Sequence, residues 1–144
     1  GKFKDISDAG GDGMKVKLSS RGAAFDDMDQ DGDIDVVILN SRREPTILRN
    51  DSQNTNHWIQ IGFEEQRPTV TREVKVTAGD LVQNREVHSG RSYQSYYGMT
   101  QHFGLMDKKK VDRIEVRWIG GGLDVLENVN ADRRLLITEG SSQQ

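Results

Sequence analysis

The chain contains no cysteine. Disulfides, thiolate metal centres and cysteine nucleophiles are therefore excluded, while the compartment is left open. Proline is nearly as scarce, at 2 of 144 residues. No apolar run approaches the roughly 20 residues of a membrane span, so no membrane insertion is expected. Hydrophobic residues make up only 33%, which implies a thin core. Positive charge is not in excess: 20 Lys and Arg stand against 23 Asp and Glu. The chain as a whole thus has no electrostatic case for nucleic acid. His57, His88 and His102 lie in separate segments, without the His-x-x-x-His spacing of a zinc helix. The first residue is Gly1 rather than Met and no signal segment is visible, so a cut piece of something longer is expected.

Glycine and aspartate are abundant. The 15 glycines, together with period-2 alternation in place of any sustained helical period, predict an all-β chain with many tight turns. One stretch carries metal chemistry: Asp27-Met28-Asp29-Gln30-Asp31-Gly32-Asp33-Ile34-Asp35. Its carboxylates fall at relative positions 1, 3, 5, 7 and 9, with glycine at 6. Ca²⁺ takes six to eight hard oxygen ligands, which a short chain supplies by wrapping around the ion. Asp27, Asp29 and Asp31 can point inward, Gly32 permits the sharp turn, the Asp33 carbonyl follows, and Asp35 closes the loop. Without a cation these charges repel one another. Position 12 is Ile38 rather than the glutamate of an EF-hand. The β-branched run Ile34 to Leu39 reads as a buried strand, so the loop joins two strands and an EF-hand is excluded.

Along the chain, residues 1–7 alternate weakly around Phe3 as an edge strand and 8–20 read as a loop. Gly22-Ala23-Ala24-Phe25 reads as a strand whose small residues allow close backbone approach. Strands are expected over 34–40 and 46–50, and residues 51–56 have linker composition. Beyond them come strands at 57–63, from Val74, at 81–87 (after a Gly79-Asp80 hairpin turn), 101–105, 111–118, 123–126 and 135–138, with a loop over 64–71. In 111–118, Ile114, Val116 and Trp118 face one way, and Arg113, Glu115 and Arg117 the other. The expected fold is a β-hairpin repeat unit with a calcium loop (1–52), then a small antiparallel β-sandwich or barrel-like domain (53–140), then a disordered tail (141–144).

Several runs of the sequence resemble a known family. Asn56-His57-Trp58-Ile59-Gln60-Ile61, Val76-Thr77-Ala78-Gly79, Ser89-Gly90-Arg91-Ser92-Tyr93, His102-Phe103-Gly104-Leu105 and Val111 to Trp118 occur in the order seen in ASPIC/UnbV domains. The sequence departs from that pattern at Met106, where a glycine is usual. Phe3-Lys4-Asp5-Ile6, Arg21 to Phe25 and the acidic loop resemble one VCBS, or FG-GAP, repeat of integrin-like propellers. The resemblance implies a secreted, periplasmic or cell-surface protein with repeats upstream. It further implies an extracellular protein or glycan as partner, an adhesion or scaffold role, and no known catalysis.

A hydrolytic triad of Ser89 or Ser92 with His102 lacks a Gly-x-Ser-x-Gly elbow. Trp58, Tyr93, Tyr96 and Tyr97 suit a carbohydrate or peptide surface as well as core edges, which keeps a glycan-binding or enzyme-accessory role as an alternative. A structural cap on a propeller is the third reading. Arg85, Arg91 and Arg113 are expected to pair with Glu86, Glu115 or Asp112.

Overall fold

The computed structural model describes residues 1–64, 71–88, 90, 93, 95, 96 and 98–143. The loop expected over 64–71 therefore lies largely outside the described residues. Among those described, the chain is all-β: ten strands in three sheets, three short 3-10 turns, and no closed barrel. Two compact units form, one from Gly1–Ser52 with Gly90–Tyr97, the other from Gln53–Ser89 with Gly98–Gln144.

The first unit holds one antiparallel sheet of β1 (Ser20–Asp26), β2 (Asp35–Asn40) and β3 (Thr46–Leu48), in that order. Residues 1–7 form no strand beyond the start of a 3-10 turn at Ser7–Ala9, and Phe3 is fully exposed. Their weak alternation supplied too little apolar surface to pair. The Ala23–Ile38 and Phe25–Val36 pairs lie on one face, and the Ala24–Val37 pair on the other. With apolar residues on both faces of a three-stranded sheet, β2 is half-buried rather than buried: Leu39 is 48% exposed and Ile47 on β3 62%. Gly22 is the close-approach position that the small residues predicted. A Cβ there would sit 2.6 Å from the Tyr93 carbonyl oxygen.

The second unit contains two sheets. β6 (Leu81–Glu86), β5 (Thr71–Ala78), β8 (Lys110–Trp118) and β9 (Leu123–Asn130) form an antiparallel sheet in that order. The other sheet runs β10 (Arg133–Ile137), β4 (His57–Phe63), β7 (Gln101–Met106). The expected all-β sandwich is thus present, antiparallel apart from the β4–β10 pair, which is parallel and makes this sheet mixed. Ile59, Ile61, Phe103, Leu105 and Ile137 from one sheet meet Val74, Val76, Ile114, Val116 and Trp118 from the other in a single core. Strict alternation places them there, because a period-2 strand shows one face to each side. On the outward face of β8, Arg113 pairs with Glu115 at 3.2 Å and Glu127 at 2.8 Å, while Lys75 meets Glu115 at 3.5 Å. Asp112, proposed as a partner for an arginine, accepts the Gly79 N–H at 2.6 Å and fixes the β5–β6 hairpin turn. Arg85 lies over the Phe103 ring at 5.5 Å instead of pairing with Glu86, which faces His88.

Polar anchors fix the ends of this unit. Asp132, in the β9–β10 turn, accepts from Trp58 N–H and lies 2.6 Å from His57 Nδ1, tying that turn to the start of β4. Asp124 on β9 is 1% exposed. It accepts from Trp118 Nε1 at 2.7 Å, from the Gly140 N–H at 2.7 Å, and from the Ser142 N–H at 2.8 Å and hydroxyl at 2.5 Å. Residues Ser141–Gln143, expected as a disordered tail, are therefore held as a 3-10 turn.

Met106 adopts φ +54°, the left-handed region that costs a residue with a Cβ roughly 1–2 kcal/mol. The departure from glycine at this position thus carries backbone strain. Met106 is also 63% exposed, so little packing compensates. Met106→Gly is expected to stabilise the chain by about 0.5–1 kcal/mol in urea melts, the strain relieved exceeding the entropy that glycine adds to the unfolded chain.

Candidate metal centre

The loop between β1 and β2 spans residues 27–34, and its shape is set by one buried carboxylate. Asp27 Oδ1 accepts the Asp31 N–H and Oδ2 accepts the Gly32 N–H, each at 3.1 Å. Gln30 at φ +63° and Gly32 at φ +98° make the two left-handed turns that bring those amides round. Gly32 was foreseen. Gln30 was not, because only its backbone conformation distinguishes it.

Asp35 closes the loop. It is 1% exposed. Its Oδ2 accepts the Met28 N–H at 2.9 Å and its Oδ1 the Asn50 N–H at 2.8 Å. One carboxylate thus joins the loop, the head of β2 and the chain just past β3. The Asn50 side chain also donates, from Nδ2, to the Ile34 carbonyl at 3.4 Å.

Of the five predicted aspartates, the fold brings Asp27, Asp29 and Asp35 together, with one ligand oxygen from each within 4.8 Å of the others. Asp27 and Asp35 are buried and Asp29 is exposed. Asp31 is not in that group; its Oδ1 turns back to accept the Asp33 N–H at 2.9 Å. The Asp33 carboxylate is likewise outside it. An ionised carboxylate offers about four lone-pair sites, so oxygens holding one N–H each keep capacity for a cation.

The charges around the loop are not balanced from within. Burial pushes the Asp27 pKa up, the N–H donors of Gly32, Gln30 and Asp31 oppose this, and the Asp31 charge adds to the rise. With its folded-state pKa raised, an ionised Asp27 costs the fold stability as pH climbs through the carboxylate range. Arg49, just after β3, brings a cation to the loop. It pairs with Asp51, and its Nε lies 3.9 Å from Asp29 Oδ2. Hydrogen bonding and charge from Asp51, with smaller contributions from Asp29 and Asp31, push the guanidinium pKa up. Sequence reading had no signal for Arg49, since only strand pairing carries it to the loop.

The other predicted sites do not assemble among the described residues. His102 stacks on Trp58, ring centroids 5.9 Å apart. Its proposed partners Ser89 and Ser92, like Arg91 and Tyr97, lie outside the described residues. Tyr93 and Tyr96 are 60% and 59% exposed.

An all-β chain whose one unit carries an acidic interstrand loop and whose other is a small two-sheet sandwich belongs to the class of β modules in which strands give the frame and loops the chemistry. The chain belongs to the ASPIC and UnbV family, whose sequence model matches residues 62–144. The match begins inside β4 and runs through β10 and the Asp124-anchored turn. No curated protein matches the chain.

Proposed function

We propose that the chain is a non-enzymatic, calcium-binding adhesion or scaffold module of a secreted, periplasmic or cell-surface protein. The observation that carries this reading is the convergence of the Asp27, Asp29 and Asp35 carboxylates within 4.8 Å. Hard oxygens in a flexible, wrapped loop suit Ca²⁺ better than Mg²⁺, which demands near-ideal octahedral geometry and keeps its waters. Asp27, Asp29 and Asp35 supply carboxylate ligands in this reading, with Asp31 and the Asp33 carbonyl completing the shell. The cation is structural: it cancels the charge that burial makes costly at Asp27 and pins the β1–β2 hairpin.

Residues 1–52 read as one VCBS, or FG-GAP, repeat. Support comes from the acidic loop joining two antiparallel strands and from apolar side chains on both sheet faces. Met14, Ala23, Phe25, Val36, Ile38 and Leu48 line a concavity of about 450 Å³ on one face. Such a sheet suits a unit stacked between repeats of the same chain. Exposed Tyr93 and Tyr96 are the surface this reading offers to an extracellular protein or glycan.

Calorimetric titration with CaCl₂, and MgCl₂ as control, tests the proposal. Calcium-selective binding is expected, and Asp29→Ala with Asp31→Ala should abolish it; unchanged affinity in the double variant would sink the reading. Arg49→Gln removes the competing cation beside Asp29 and should tighten calcium binding by roughly two- to fivefold, the range of an exposed ion pair.

A further inference from the structure

Two Asp–Gly bonds occur in the chain, Asp12–Gly13 and Asp31–Gly32. We infer that Asp31–Gly32 is a latent isoaspartate site that the Asp27 carboxylate holds shut. The inference does not depend on whether the loop holds a metal.

The chemistry needs no catalyst. The Gly32 amide nitrogen loses its proton and attacks Asp31 Cγ. The new N–C bond forms as one carboxyl oxygen leaves as water, giving a five-membered succinimide. Water then opens the ring at either carbonyl, returning aspartate or leaving the main chain routed through the side-chain carbon as isoaspartate. Glycine in the second position removes the side chain that would otherwise crowd the attack.

The folded loop opposes each step. The Gly32 N–H donates to Asp27 Oδ2 at 3.1 Å, so removing its proton would set an amide anion against a carboxylate. The Asp31 N–H is held by the other oxygen of that carboxylate, also at 3.1 Å. The reacting Asp31 carboxyl is turned toward the Asp33 N–H at 2.9 Å. Both peptide units around Asp31 are thus tied to one side chain that is 9% exposed. Ring closure requires the chain to rotate out of that grip, and losing hydrogen bonds to a charged acceptor lowers the open population by about tenfold or more. Asp12 provides the internal reference. Its side chain is 99% exposed in a 3-10 turn at Asp12–Lys15, where its described partner is Lys15.

The consequence reaches the loop's geometry. Isoaspartate at position 31 adds a methylene to the main chain and converts the Asp31 side-chain carboxylate into an α-carboxylate. The spacing between Asp29 and Asp35 then changes for good, which gives the loop a chemical lifetime.

The full chain, aged at 37 °C and neutral pH in EDTA and digested with trypsin, tests this by fragmentation that separates aspartate from isoaspartate. Asp12 should convert about tenfold or more faster than Asp31. In Asp27→Ala, conversion at Asp31 should rise to the Asp12 rate, whereas Asp29→Ala, which removes no bond to either amide, should leave it low. Equal rates at Asp12 and Asp31 in the unsubstituted chain would overturn the inference. So would an Asp31 rate indifferent to Asp27→Ala, or one raised equally by Asp29→Ala.

Discussion

Asp124→Ala should destabilise the chain by about 3–5 kcal/mol and lower its melting temperature by roughly 10 °C or more. The substitution leaves the buried Trp118 indole N–H and the part-buried Gly140 and Ser142 amides without their shared acceptor; a buried orphan costs about 1–3 kcal/mol, and the two amides add smaller losses. Asp124→Asn should be nearly as damaging, because it replaces one acceptor oxygen with a donor facing other donors. Ser142→Ala, which removes the hydroxyl's bond to Asp124 and its acceptance of the Val125 N–H, should cost about 1–2 kcal/mol. Urea melts of the three variants give the comparison. The pH dependence has a defined sign. Burial raises the Asp124 pKa, but the donors from Ser142, Gly140 and Trp118 outweigh it and hold the group below its ordinary value of 3.8. Its contribution is therefore complete above that pH and drains away as pH falls through the lowered folded-state value. Asp124→Asn should remove that part of the acid sensitivity.

Asp35→Ala is the second large effect. It should cost about 2–4 kcal/mol even in chelator, since the Met28 and Asn50 amides both lose a buried charged acceptor. Hydrogen exchange at those two amides is the local readout, and it should accelerate by about thirtyfold or more. Asp29→Ala makes the contrast. Among the described residues its exposed carboxylate has only the 3.9 Å approach of Arg49, so stability in chelator should be unchanged. If calcium binds, native-state binding adds about 2.7 kcal/mol at a hundredfold excess over Kd, and both variants should lose that increment. Equal chelator stability for Asp35→Ala and the unsubstituted chain would show that the amide contacts contribute nothing.

Much of the frame was legible from alternation alone. The β8 pattern put Ile114, Val116 and Trp118 inward, and all three are in the core. Gly79-Asp80 marked its hairpin turn, and the spacing of Asp27, Asp29, Asp31 and Asp35 marked the loop, although the Asp31 carboxylate stands outside the group that the other three form. Partner choice was not legible. A period-2 strand states which face is buried but not which strand lies beside it, so the parallel β4–β10 pair went unseen. Polar anchors were missed for a related reason. Asp124, Ser142, His57 and Asp132 look like surface residues until the chain returns to meet them. Met106 was visible as a departure from glycine, but its left-handed backbone was not.

The His57–Asp132 and Trp58–Asp132 contacts, with the β4–β10 pairing beside them, join the two ends of the second unit. Trp58 and Asp132 are 74 residues apart in sequence. On the ribosome β4 emerges early, and one of its two hydrogen-bonding edges has no partner until β10 has been made. Closing so long a loop is entropically slow, which places this unit among the later and slower events of folding. Until then Leu135 and Ile137 are missing from the core, and the open edge of β4 is a template for pairing with another chain. A truncation before Arg133 is thus a route to aggregation rather than to a smaller domain.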